Sequence, residues 1–131
     1  MRSRSSSSVG AVYLDRDARI AELRASAIRA AGRIPGLQRV ILFGSLAKGI
    51  PTPRSDADLL VIVAESEHRE PRDRVPEVIR ALAPLPCPID LFVLTASELE
   101  RHTAGGDALV REALAHGRDL LGPANSGRSG S

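Results

Sequence analysis

Three aspartates stand where aspartate fits poorly. Asp56 and Asp58 open the run Asp-Ala-Asp-Leu-Leu-Val-Ile-Val, and Asp90 sits inside Pro-Ile-Asp-Leu-Phe-Val. Asp is a weak strand former, and a carboxylate is costly to bury. Residues i and i+2 of a strand share a face, so Asp56 and Asp58 would lie side by side and repel. A cation between them resolves the repulsion. If the strand bearing Asp90 is the neighbour, about 4.8 Å away, three carboxylates gather around one or two divalent ions. Oxygen-only donors select Mg²⁺ or Mn²⁺ over zinc. The plainer reading of the pair alone is a turn or a cap.

The second half of the chemistry lies just upstream. Leu-Phe-Gly44-Ser45-Leu-Ala-Lys48-Gly follows an apolar run and ends in a turn. Glycine lets the backbone approach a ligand, and free N–H groups at a helix start favour phosphate. Ser45 can donate a hydroxyl hydrogen bond, and Lys48 can reach a phosphate as a point charge. A solvated lysine is the competing reading of Lys48, as a plain tight turn is of Gly44-Ser45. A phosphate grip beside carboxylate-held metal is the equipment of phosphoryl or nucleotidyl transfer.

The elements that must position these groups follow from periodicity. Ile20, Leu23, Ala27, Ile28 and Ala31 make one face of a helix from Asp15 to about Gly32, with arginines opposite. A buried strand is expected over 38–43, and a loop with two prolines over 49–55. The second strand, 56–64, is continuously apolar and should be covered on both faces. Glu65 to Arg74 reads as a charged, solvated loop. Val75, Val78, Ile79 and Leu82 mark a helix over 73–83, and 89–94 is a third strand. Ser97 suggests an N-cap for a short helix over 98–102. Asp107 to His116 reads as the last helix. The order α-β-(turn)-β-α-β-α-α predicts an α/β (α+β) domain, a small mixed sheet of three or more strands flanked by helices.

Composition narrows the class. The chain has 131 residues, 43% of them hydrophobic, and a formal charge of +2. Arg2, Arg4 and Arg128 lie in Ser- or Gly/Ser-rich ends, leaving 15 basic against 16 acidic residues between them. That balance offers no general nucleic-acid-binding face. Residues 1–10 and 123–131 are expected to be disordered, with one domain over 11–122. Cys87 is the sole cysteine, which suits a reducing compartment. With no signal-peptide core and no membrane-length apolar run, the expectation is a cytoplasmic protein.

Gly44-Ser45, ten residues, then Asp56-Ala-Asp58 resembles the G-S-x10-D-x-D signature of the DNA polymerase beta-like nucleotidyltransferases. Over about residues 15–121 the chain is similar to the minimal nucleotidyltransferases, the MNT proteins, including the closing segment Ala113–Leu121. The resemblance implies the polymerase beta-like fold, with two Mg²⁺ ions (Mn²⁺ as the alternative) held by Asp56, Asp58 and Asp90. Asp90 would help deprotonate the incoming hydroxyl. Gly44 and Ser45 would hold the β and γ phosphates of ATP. Only 36 residues follow Thr95, too few for a large acceptor-binding domain, so a partner is expected to complete the site. MNT antitoxins imply that partner: a separately encoded HEPN ribonuclease toxin, silenced by AMP transfer to a tyrosine hydroxyl. Two alternatives stand beside this. One is transfer to a small-molecule hydroxyl, such as that of an aminoglycoside, with a homodimer forming the pocket. The other is a non-catalytic module that occludes its partner.

Overall fold

The computed structural model describes residues 4–44, 47 and 57–122, with side chains from Arg16 onward. Of the six expected site residues, Gly44, Asp58 and Asp90 fall within it; Ser45, Lys48 and Asp56 lie outside the described residues. The elements are α1 (Arg4–Arg33), β1 (Leu37–Phe43), β2 (Ala57–Val63), a 3-10 turn (Pro71–Arg74) running into α2 (Val75–Leu82), β3 (Ile89–Thr95), α3 (Ala96–Ala104), α4 (Ala108–His116) and the short β4 (Arg118–Asp119). The strands form one mixed sheet in the order β3-β2-β1-β4. β2 runs antiparallel to β1 and parallel to β3.

The period of two along the central strands decides what each face meets. Val40, Leu42, Ala57, Leu59, Val61 and Val63 pack against Ile20, Leu23, Ala27 and Ala30 of α1 and Val78 and Leu82 of α2. Ile41, Phe43, Leu60 and Ile62 turn the other way, toward Val110 and Ala113 of α4. The continuous apolar run of β2 is therefore a strand covered on both faces, as its sequence implied.

Four expectations need correction. The first helix is longer than its apolar period implied: α1 spans Arg4–Arg33, against Asp15 to about Gly32. Serine is only a middling helix former, but extending a packed helix is far less costly than starting one. Ser97 is not an N-cap. Thr95 caps α3, accepting from the Glu98 N–H while the Glu98 side chain accepts from the Thr95 N–H, a reciprocal capping box. β4 was missed, because its two residues carry no apolar pattern. Arg74, read as the end of a solvated loop, is buried, with 4% of its side chain exposed.

That burial is made possible by full pairing. Arg74 Nη1 and Nη2 donate to Glu98 Oε1 and Oε2 at 2.7 and 3.0 Å. The remaining donors reach the carbonyls of His68, Arg69 and Val93. A two-pronged pair of this kind suits the planar guanidinium, and it ties the 65–74 segment to β3 and α3.

The Arg74 hydrogen bonds hold the Glu98 carboxyl down at about 2, against an ordinary 4.5. A depressed carboxylate contributes stability above its unfolded value and loses it as pH falls through the folded value. The pair is therefore worth at most roughly 3 kcal/mol near neutrality, fading between about pH 4.5 and 2. Glu98→Gln is expected to lower the urea midpoint at neutral pH and to flatten its acid dependence across that window. Equal midpoints for both proteins at neutral pH would show that the pair contributes nothing.

Candidate functional site

At one end of the sheet, the C-terminus of β1 meets the N-termini of β2 and β3. Phe43 is paired with Asp58, and Asp58 with Asp90. Adjacent paired strands lie about 4.8 Å apart, so the two carboxylates leave neighbouring positions on one face. It is the face of Leu60 and Ile62, opposite the one that packs on α1. α3 and α4 cover its far half through Leu60, Ile62 and Leu94. At the near half Asp58 is half-buried and Asp90 is exposed.

Gly44 closes the end of β1 with φ at +82°. Only glycine adopts that conformation without strain. A Cβ built there would run into the Asp58 carboxylate, 3.2 Å from its Cγ. The hydrogen of Gly44 is thus what lets the carboxylate lie directly against the backbone of the turn.

The two described carboxylates fit a hard divalent cation by donor type and by shared face. Among the described residues no group of three His, Cys, Asp or Glu side chains could hold a metal. The third carboxylate of the expected set, Asp56, lies outside the described residues. His102 is engaged elsewhere: its Nδ1 sits 2.8 Å from Asp107 Oδ2, at the cap of α4.

Sequence reasoning missed one neighbour. Phe92, two residues after Asp90 on the edge strand, remains 38% exposed. Its ring meets that of Phe43 at 6.1 Å and a 45° tilt. The two rings adjoin the carboxylates on the same face. The available signal was the spacing itself, since i and i+2 of a strand share a face.

A profile described as nucleotidyltransferase domain matches residues 26–120, taking in every element that frames this site. The chain belongs to that family. The nucleotidyltransferase fold recurs among solved structures. A protein from Sulfolobus solfataricus, a nucleotidyltransferase by inference, is 24% identical with a TM-score of 0.56, covering 69% of this chain and 78% of that one. A toxin–antitoxin structure with AMP-PNP is 23% identical with a TM-score of 0.51, covering 78% and 75%. A mutant of the toxin–antitoxin MntA-HpeT is 23% identical with a TM-score of 0.53 and the same coverage. At these identities the likeness establishes the fold. No curated protein sequence matches at a significant level. No helix among the described residues of this nucleotidyltransferase is long and apolar enough to cross a membrane.

Two glycines give a controlled comparison. Gly44→Ala introduces both a positive φ and a collision, and is expected to cost at least about 1–2 kcal/mol. A Cβ on Gly32, in α1, meets nothing within 4 Å, and Gly32→Ala should gain about 0.5–1 kcal/mol. Chemical denaturation of the two variants checks the sign in each case.

Proposed function

We propose that this nucleotidyltransferase transfers AMP from ATP to a tyrosine hydroxyl of a separately encoded HEPN ribonuclease, and so acts as its antitoxin. The observation that carries the reading is the contact of the Gly44 turn with Asp58 and the direct pairing of Asp58 with Asp90. It supports one triphosphate grip and one carboxylate site meeting at a single sheet edge. The antitoxin assignment draws on the fold shared with the AMP-PNP-bound and MntA-HpeT toxin–antitoxin structures.

Each residue has a role in that reaction. Backbone N–H groups at Gly44 and Ser45, with the Ser45 hydroxyl, hold the β and γ phosphates, and Lys48 adds a point charge. Asp56, Asp58 and Asp90 would hold two Mg²⁺ ions, which when bound neutralise charge on the attacking and leaving oxygens. The attacking group is the tyrosine oxygen. Its bond to the α phosphorus forms as the bond to the bridging oxygen breaks, and pyrophosphate departs. Asp90 draws the hydroxyl proton, since it stands on β3, across Asp58 from the phosphate turn. The exposed Phe92 ring gives an apolar surface on that same acceptor side.

Intact-mass analysis of the HEPN partner, incubated with this protein, ATP and Mg²⁺, tests the proposal. AMP-sized additions to the partner are expected. Chelation of the metal should abolish them, and Asp58→Asn should slow them by about 100-fold or more. A partner that stays unmodified yet is still neutralised by the Asp58→Asn protein would replace this reading with occlusion. Pyrophosphate release that depends on an added aminoglycoside would replace it with small-molecule transfer.

A further inference from the structure

The chain has two phenylalanines, one tyrosine and no tryptophan. Both phenylalanines stand on the face of the sheet that carries the carboxylates, and their ring centroids lie 6.1 Å apart. Their strands are not neighbours: Phe43 lies on β1 and Phe92 on β3, with β2 between them. Strands two apart are separated by about 9.6 Å, so the rings lean inward over β2. Phe43 is level with Asp58, and Phe92 with Leu60. The pair of rings therefore crosses the sheet beside the Asp58 carboxylate.

Burial separates the two. Phe43 is buried, while Phe92 is 38% exposed. Leu94, two residues further along the same face of β3, is buried in the cluster formed with α3 and α4. A single exposed phenylalanine is ordinary on a protein surface. What distinguishes Phe92 is its support and its neighbour. Phe43 backs the ring at a 45° tilt, within the range of favourable ring pairs, and limits its freedom to turn. Asp90 precedes it by two residues, about 6.6 Å along the strand.

That step is close to the length of a phenol with its oxygen. An aromatic ring stacked on Phe92 can therefore point a para hydroxyl at the Asp90 carboxylate. The hydroxyl of a serine or threonine brings no ring to such a platform. Adenine is the other planar occupant, but the phosphates are assigned to the β1 flank at Gly44, and Phe92 shares the β3 flank with Asp90.

We propose that Phe92, braced by Phe43, determines acceptor specificity: it stacks on the ring of an aromatic hydroxyl substrate and steers the oxygen to Asp90. This role rests on the function proposed above. It adds the side chain that favours a phenolic hydroxyl over an aliphatic one.

The test is steady-state AMP transfer to the HEPN partner, read by intact mass with ATP and partner varied in turn, alongside thermal melts. Phe92→Ala is expected to raise the KM for the partner about tenfold, the scale of one aromatic pair, and to leave the KM for ATP within about twofold of the parent. Phe92→Trp keeps a stacking face and should hold the partner KM within about threefold of the parent. Phe92→Leu keeps apolar bulk without a ring. It should bind the partner nearly as weakly as the alanine variant, and it replaces that variant if alanine unfolds the edge strand. An alanine variant that melts earlier yet keeps both KM values overturns the proposal, since a purely packing role behaves that way. A rise in the KM for ATP instead also overturns it, because the ring would then carry the base. A parent protein that leaves the partner unmodified removes the AMP-transfer reading itself, and the role of Phe92 with it.

Discussion

A carboxylate at the end of a fully buried strand is the constraint around which this fold is arranged. β2 is covered on both faces over most of its length, and a charge anywhere along that length would cost several kcal/mol without a partner. Asp58 sits one residue inside the strand's first end and is only half-buried, beyond the half of that face that α3 and α4 cover. The position is usable only because β1 stops at Gly44, whose missing side chain makes room for the carboxylate. Parallel pairing then sets Asp90 directly beside it. Sliding β3 by one residue would turn Asp90 to the α1 side and empty the site.

The rest of the structure can be understood as holding that edge in register. α1 does so on one face, through its apolar stripe and through its arginines. Arg29 and Arg33 donate to carbonyls at the C-terminal end of α2, including those of Ala81, Leu82 and Ala83. Those carbonyls have no partners within their own helix, and a cationic donor suits the negative end of the helix dipole. Arg24 reaches Leu120 and Gly122, pinning the chain just after β4. On the other face the Arg74–Glu98 pair binds the crossover segment to the far end of β3. Charged side chains act here less as a solvent coat than as long-range ties.

Much of this was legible in the sequence, for identifiable reasons. The central strands and the α2 and α4 segments carry apolar patterns that only one period fits, so their placement survived. The neighbouring placement of Asp58 and Asp90 was legible because both contradict the strands they sit in, which singles them out as candidates. What stayed hidden was non-local. Arg16, Arg24 and Arg29 read as an exposed polar face because nothing in helical periodicity says that an arginine will reach a carbonyl 31 to 98 residues away. Arg74 belonged to a charged run, and its burial depends on Glu98, 24 residues on. The N-cap was misread by two positions because Thr95 and Ser97 have the same chemistry, and only the Glu98 spacing separates them.

In the function proposed above, the phosphate side and the acceptor side of this nucleotidyltransferase lie on opposite flanks of Asp58. The most direct test is anomalous scattering from crystals grown with Mn²⁺ and α,β-methylene-ATP. The account predicts manganese bound by the Asp58 and Asp90 carboxylates, with the nucleotide's β and γ phosphates against Gly44. Manganese bound elsewhere, or a triphosphate lying away from the Gly44 turn, would contradict it.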